Sequence, residues 1–295
     1  MIDITFSHTS KVYDDDKGLF DLSMQLPQGE SFGLLGPTGA GKSTALSLLM
    51  GFIRPDEGEV NIRGMDCVKR HHDIMKFVGF VPKDARLPKR TTGDEFIRLM
   101  AKARGSVGRS HMQQLMEKLD INPLGDWAYM SLESKRKVVI FLAFMHGPEI
   151  LLLDDPCAGL DANGRNAVLD LIDEQRKKGK TILMTSHVFE EVQRSCDRVG
   201  IIREGRLVTV QSAKSLQYTR QKVYHITFES IDQASAFSQE WETGVELLRN
   251  RVIVAIPGSP QVLLSTLSKY TVLDLVGGRE EMDANFLRSF GGDLI

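Results

Sequence analysis

Short apolar runs divided by polar turns set the rhythm of this chain. Alternation over Ile2-Asp3-Ile4-Thr5-Phe6 and again from Leu19 to Leu26 predicts two strands around the polar turn Asp14-Asp15-Asp16-Lys17-Gly18, a small antiparallel region. Phe32-Gly33-Leu34-Leu35 is apolar throughout and reads as a buried strand, and Ala45 to Met50 continues as a helix stopped by Gly51. Glu59 to Gly64 alternates again, and Phe77-Val78-Gly79-Phe80-Val81 reads as another buried strand. From Thr92 to Met145 the period becomes helical, over Asp94 to Arg104, Ser110 to Leu119 and Ser134 to Met145, which predicts a helical insertion. Strand Ile150 to Asp155, helix Asn163 to Lys178, strand Thr181 to Thr185, helix Val188 to Arg194 and strands Val199 to Arg203 and Arg206 to Val210 follow. That alternation predicts a parallel α/β core.

A second unit begins near Lys222, after the polar stretch Gln211 to Arg220. Strand Tyr224 to Phe228, helix Ile231 to Trp241, strands Val245 to Leu248 and Val252 to Ala255, helix Gln261 to Lys269 and strand Val272 to Val276 give the order β-α-β-β-α-β. This is the ferredoxin-like pattern. A last helix is expected over about Arg279 to Phe290. The domain boundaries are therefore 1–215 and 222–295, with the helical part of the first at about 92–145. No internal repeat or low-complexity tract is seen, and the second unit has no cluster of Cys, His or carboxylates that could do chemistry.

Composition narrows the function classes. Lys and Arg number 37 against 39 Asp and Glu, so there is no basic field to grip a nucleic-acid backbone, and nucleic acid is not expected as a partner. Cys67, Cys157 and Cys196 are far apart and fit a reducing compartment better than a zinc site or a disulfide framework. The N-terminus lacks a basic start followed by an apolar core, so no secretion signal is expected. The uncharged stretch from Val138 to Pro148 is short of a membrane span, so any membrane role is expected to be peripheral.

The chemistry gathers on Gly36-Pro37-Thr38-Gly39-Ala40-Gly41-Lys42-Ser43-Thr44, which fits G-x-x-x-x-G-K-[ST] between a strand and a helix. Glycines at 36, 39 and 41 let the backbone turn tightly, so that N–H groups and the positive helix end face a triphosphate. Lys42 then reaches the β- and γ-phosphates, and the Ser43 hydroxyl takes Mg²⁺. Asp154, at the end of an apolar strand, is the natural second holder of Mg²⁺, and Asp155 the candidate base. His187 leaves the next strand in Thr185-Ser186-His187 and can donate to the γ-phosphate. Tyr13 can stack on adenine, although a tyrosine near a turn is more often packed on the surface.

Lys42 in Gly36 to Thr44, Asp154 after its strand, Ala158-Gly159-Leu160-Asp161 downstream and Thr185-Ser186-His187 together resemble the ATP-binding subunit of an ABC transporter. The resemblance covers about residues 2 to 215. It implies the P-loop NTPase ABC ATPase fold: a mostly parallel core sheet, an antiparallel β part and a helical part, followed here by the small α+β ferredoxin-like domain. It also implies Walker A at 36–44, Walker B at 150–154, a D-loop at Gly159, Leu160 and Asp161, a switch histidine at His187, and adenine stacking at Tyr13, with ATP and Mg²⁺ as the bound groups. The motif spread and the second unit are similar to drug, antibiotic-peptide and sodium exporters whose permease is a separate chain. The resemblance implies a cytoplasmic subunit held on the inner face of the membrane by that permease, docked through 92–145, and a pair of ATP-binding subunits sandwiching two ATP.

Three positions depart from the family pattern. Asp155 stands where the family has a glutamate base, which withdraws the carboxylate by about 1 Å, a misplacement that can cost ~10²-fold in rate. Lys83 holds the Q-loop glutamine position; it has donors only, so it cannot ligate Mg²⁺ but can pair with phosphate. The signature aligns with Met130-Ser131-Leu132-Glu133-Ser134, where Glu133 adds bulk and a negative charge, expected to repel a partner's nucleotide unless Lys135 or Arg136 compensates. These departures favour an exporter ATPase paired with a different ATP-binding chain over a homodimer; the alternative is a regulatory subunit that clamps ATP with little hydrolysis. A switch GTPase is disfavoured because no [NT]-K-x-D segment follows the Walker B strand, and a translation or repair ATPase because there is one P-loop and no coiled coil.

Overall fold

The computed structural model describes residues 1–14, 17–84, 92–104, 108–122, 130–214, 221–241, 245–257 and 259–277. The helix expected over 279–290 and the middle of the turn at 15–16 lie outside them. The chain divides into two compact units, one spanning Met1–Gln211 and a second that begins at Ser212.

The first unit opens with an antiparallel sheet ordered β2-β1-β4-β5, from β1 (Ile2–Asp14), β2 (Lys17–Pro27), β4 (Glu57–Ile62) and β5 (Met65–Asp66). Ile4, Phe6, Leu19, Leu22, Leu26 and Ile62 turn inward and are buried. β1 runs on well past Phe6, where alternation stops being legible. The reason is a break in register between Phe6 and Thr9, with His8 at φ 46 and Asp21 at φ 50, so the inward positions change parity along a continuous strand.

The second sheet is ordered β10-β9-β3-β8-β7-β6. It contains β3 (Ser31–Leu35), β6 (Val78–Val81), β7 (Ile150–Asp154), β8 (Thr181–Ser186), β9 (Arg198–Arg203) and β10 (Arg206–Ser212). From β9 to β6 every neighbour is parallel. β3, β7 and β8 are buried at every position, the near-continuous apolar reading of strands covered on both faces. α1 (Lys42–Leu49) follows β3, α6 (Ala162–Lys177) follows β7 and α7 (Phe189–Ser195) follows β8. Short α2 (His71–Ile74) and β5 were not anticipated, because a single turn or a two-residue bridge leaves no periodicity to read.

α3 (Gly93–Arg104), α4 (Arg109–Leu119) and α5 (Leu132–Phe144) form as the helical period predicts. α5 also packs against β6, so its apolar half, from Val138 to Phe144, belongs to the core around the sheet. Gly79 in β6 permits the approach: a Cβ there would lie 2.3 Å from the Ala143 carbonyl oxygen and 2.8 Å from Pro148.

The second unit is β11 (Gln221–Phe228), α8 (Ile231–Glu240), β12 (Val245–Leu248), β13 (Arg251–Pro257), α9 (Gln261–Leu267) and β14 (Val272–Gly277), with an antiparallel sheet ordered β12-β13-β11-β14. Ile226, Phe228, Phe237, Val252, Val254 and Leu263 make its own core. Element order and strand order are those of the ferredoxin-like arrangement. Among the described residues no helix is long and apolar enough to cross a membrane.

Gly79→Ala should destabilise the first unit by ~1–3 kcal/mol, because the added methyl overlaps main chain that cannot rotate aside. Urea unfolding checks this: the midpoint should fall with the slope unchanged, and an unmoved midpoint would mean that α5 separates from β6 at no cost.

Candidate nucleotide site

β3 ends at Leu35 and α1 begins at Lys42, so the glycine-rich loop spans the carboxyl edge of the parallel sheet. Its glycines serve two different needs. Gly39 (φ 87) and Gly41 (φ 98) hold left-handed backbone, which side chains with a Cβ rarely adopt. Gly36 is required by close approach instead, since a Cβ would sit 2.3 Å from the Ile202 carbonyl oxygen. Its N–H is spent on Ser186 O at 3.3 Å and that of Ala40 on Pro37 O at 3.2 Å, so these two amides brace the loop. The first-turn N–H groups of α1, on Lys42, Ser43 and Thr44, have no intrahelical acceptor and supply the anion-binding end.

Thr38, Gly39, Gly41, Lys42, Ser43 and Thr44 line a cavity of about 270 Å³. Asp154 and Asp155 line it too, as do Lys83, Tyr13, Lys17 and Gly18. Tyr13 is 55% exposed near the end of β1. Lys42 Nζ donates to Gly36 O at 2.5 Å and Pro37 O at 2.9 Å, folded over its own loop. Burial lowers its pKa; Asp155 opposes the shift, Lys83 adds to it, and Asp154 opposes it again.

β7 and β8 are neighbours in register, with Asp154 opposite Thr185. The Thr185 hydroxyl donates to Asp154 Oδ1 at 2.7 Å and accepts from the Asp155 N–H at 3.0 Å. One hydroxyl thus orients both carboxylate residues. The strand expected to include Asp155 stops at Asp154, because Asp155 turns to φ 48. Aspartate tolerates that conformation better than most side chains. Its Oδ2 lies 3.1 Å from His187 Nδ1, and His187 is half exposed while Asp155 is buried. His187 therefore joins the site through Asp155.

Two carboxylates are too few to hold a metal alone, and no described group of three or more His, Cys, Asp or Glu residues could do so. The donor set nevertheless fits Mg²⁺: Ser43 and Asp154 offer oxygens to one cavity, and this ion is commonly bound by one or two protein oxygens plus substrate phosphates.

Sequence patterns missed the role of Arg136. It is only 6% exposed on α5, and its guanidinium donates to Pro82 O (2.5 Å), Lys83 O (3.0 Å), Asp154 O (2.9 Å), Asp155 O (2.6 Å) and Pro156 O (3.3 Å). It cannot then be the cation that offsets Glu133. That cation is Lys137, one helical turn on, 3.1 Å from Glu133 Oε1. The expectation that Lys135 or Arg136 would compensate is corrected: the i, i+4 spacing on α5 puts Lys137 beside Glu133. A signal for Arg136 was present, since it lies one turn before the buried Val139 and Ile140 on the same helix face.

Ser131 caps α5, accepting from Ser134 N at 3.0 Å, while Leu132 is 84% exposed and Met130 lies just before the cap. Gly159 (φ 76) and Leu160 lead to Asp161, which caps α6 by accepting from Gly164 N at 2.7 Å. None of the residues expected to form the signature and D-loop lines this cavity. Behind His187, the buried Glu191 accepts from Ser186 Oγ at 2.7 Å and lies 3.5 Å from Arg165.

A family model described as ABC transporter matches residues 19–158. The linearmycin resistance ATP-binding protein of Bacillus subtilis is 33% identical over 211 residues, 70% of this chain and 68% of that one. A Nod factor export ATP-binding protein I of Burkholderia orbicola is 30% identical over 302 residues, covering 99% of this chain and 98% of that one. Among solved structures, an ATP-binding subunit of an ABC transporter superposes with a TM-score of 0.66 at 26% identity, over 73% of this chain and 92% of the other.

Glu191 gives the site a pH signature. Burial raises its pKa above 4.5 against the Ser186 hydrogen bond, with Asp155 raising it further and Arg165 opposing. A raised folded-state pKa means that its stabilisation is complete below the unfolded value and is lost as pH climbs through the folded one. Glu191→Gln keeps the acceptor and never ionises. Its stability relative to the parent chain should rise as pH climbs above the ordinary glutamate range, in paired urea melts; a constant difference would refute the assignment.

Proposed function

This chain belongs to the ABC transporter family as an ATP-binding subunit, and from that premise we propose that it powers an exporter of a drug, an antimicrobial peptide or an ion through a separate permease chain. One observation carries the ATPase part of this reading: a P-loop lysine and serine share one cavity with two carboxylates from the end of β7. Mg²⁺, when bound, would offset the negative charge of the phosphates. Ser43 and Asp154 would hold it, the Thr185 hydroxyl fixing the Asp154 carboxylate through Oδ1. Lys42 exchanges its loop carbonyls for the phosphates. Asp155 orients the attacking water and receives its proton, while His187 steadies the carboxylate and meets the γ-phosphate. Export is supported by the names of the relatives, which concern resistance and Nod factor export.

The permease docks on the helices of 92–145, and a second ATP-binding subunit completes the sites. We favour a different chain as that second subunit. The Glu133 charge is largely answered by Lys137, and bulk favours the different chain: Leu132 and Glu133 stand where glycines would let backbone approach the partner's phosphate. A regulatory subunit with little turnover is the second reading, favoured by the short carboxylate at Asp155.

Lys42→Ala should raise the Kd for ATP by roughly 100-fold or more with the circular dichroism spectrum unchanged. Retained affinity would remove the P-loop from the account. Asp155→Glu in the assembled transporter should raise ATP turnover by roughly 10- to 100-fold if carboxylate reach limits the step. A fall, or no change, would favour the regulatory clamp.

A further inference from the structure

Lys83 is the one departure that places a new charge inside the cavity. It follows β6, and its main chain is not free to drift: Arg136 Nη1 donates to Pro82 O and Lys83 O while Nη2 donates to Asp154 O and Asp155 O. The Lys83 backbone is thus tied through a single planar guanidinium to the strand end that carries both carboxylates. Its side chain lines the same cavity as Lys42, Ser43, Asp154 and Asp155. Its charge is near enough to Lys42 to help lower that lysine's pKa.

We propose that Lys83 is a direct γ-phosphate ligand that lets this subunit bind ATP without a divalent metal and distinguishes ATP from ADP. The inference rests on the ATP-site reading above. An ammonium on a four-carbon stem offers three donors and no acceptor, so it cannot coordinate a metal but suits an anion. The cavity is lined by Lys17, Lys42 and Lys83 against Asp154 and Asp155, an excess of fixed positive charge before any ion enters. Replacing Lys83 by a neutral amide would remove that excess. Two carboxylates beside a triphosphate repel it; Lys83 supplies a covalently attached cation to the same cavity. ADP has no γ-phosphate, so it forgoes this contact while keeping those made by the loop amides and Lys42.

Equilibrium binding of ATP and of ADP to the full chain, each with EDTA and with Mg²⁺, tests the proposal. The parent chain should bind ATP in EDTA. Lys83→Gln should weaken metal-free ATP binding at least ~10-fold while moving the ADP Kd less than ~2-fold, and Lys83→Arg should retain most of the ATP affinity. Mg²⁺ should narrow the gap between Lys83→Gln and the parent. ATP binding that needs Mg²⁺ and ignores Lys83→Gln would overturn this inference alone, as would equal losses for ATP and ADP, the mark of a merely structural change. Failure of the parent chain to bind either nucleotide even with Mg²⁺ would overturn the site reading as well.

Discussion

Arg136 keeps a full charge at a nearly buried position because backbone carbonyls from two separate strand ends converge on its guanidinium. Taking such a cation out of water costs several kcal/mol, and burial accordingly lowers its pKa, against the opposing pull of Asp155 and Asp154. Five acceptors in a planar fan answer that cost, each hydrogen bond to a charged group contributing roughly 1.5–3 kcal/mol. Only guanidinium has the geometry for it; a lysine would leave most of those carbonyls unpaired. The segment after β6 and the segment after β7 therefore behave as one piece, and α5, which carries the arginine, is joined to both.

Around that tie, the site is a property of a sheet edge. β3, β8 and β7 are parallel neighbours, so the glycine-rich loop, His187 and the Asp154-Asp155 pair must leave the sheet on the same side. Thr185 then sets the two carboxylate residues with a single hydroxyl, and the left-handed backbone at Asp155 turns its side chain toward His187. Helix α1 contributes amides and its positive end, but it is too short and too weakly capped to stand alone; tertiary packing of Ala45, Leu46, Leu48 and Leu49 holds it in place.

The signature region shows how charge can be rearranged without leaving the helix that bears it. Glu133 is answered within α5 by Lys137, and its Oε1 would lie 3.2 Å from a Cβ at Gly164. It thus faces the first turn of α6, where a carboxylate is welcome. Leu132, beside it, is left exposed at that corner.

The P-loop, the strand-helix alternation and the β-α-β-β-α-β order of the second unit were legible in the sequence because each is a local pattern: fixed glycine spacing, apolar period, turn residues. The placement of Asp154, Asp155 and His187 at one sheet edge was legible as well, since parallel strands must bring their carboxyl ends together. Other features depend on atoms distant in sequence, which no local pattern encodes. The continuation of β1 through its bulge, the need for Gly36 against Ile202 O and the seat of α5 on Gly79 are of this kind. So are the partners of Arg136, whose charge looked available to Glu133 until the fold surrounded it with carbonyls, and the placement of Lys83 in the nucleotide cavity. Sequence determined which groups are present and which edge of the sheet they occupy. Tertiary structure decided which of them are spent on one another and which remain to meet a ligand, because burial removes the water that would otherwise satisfy every polar group equally.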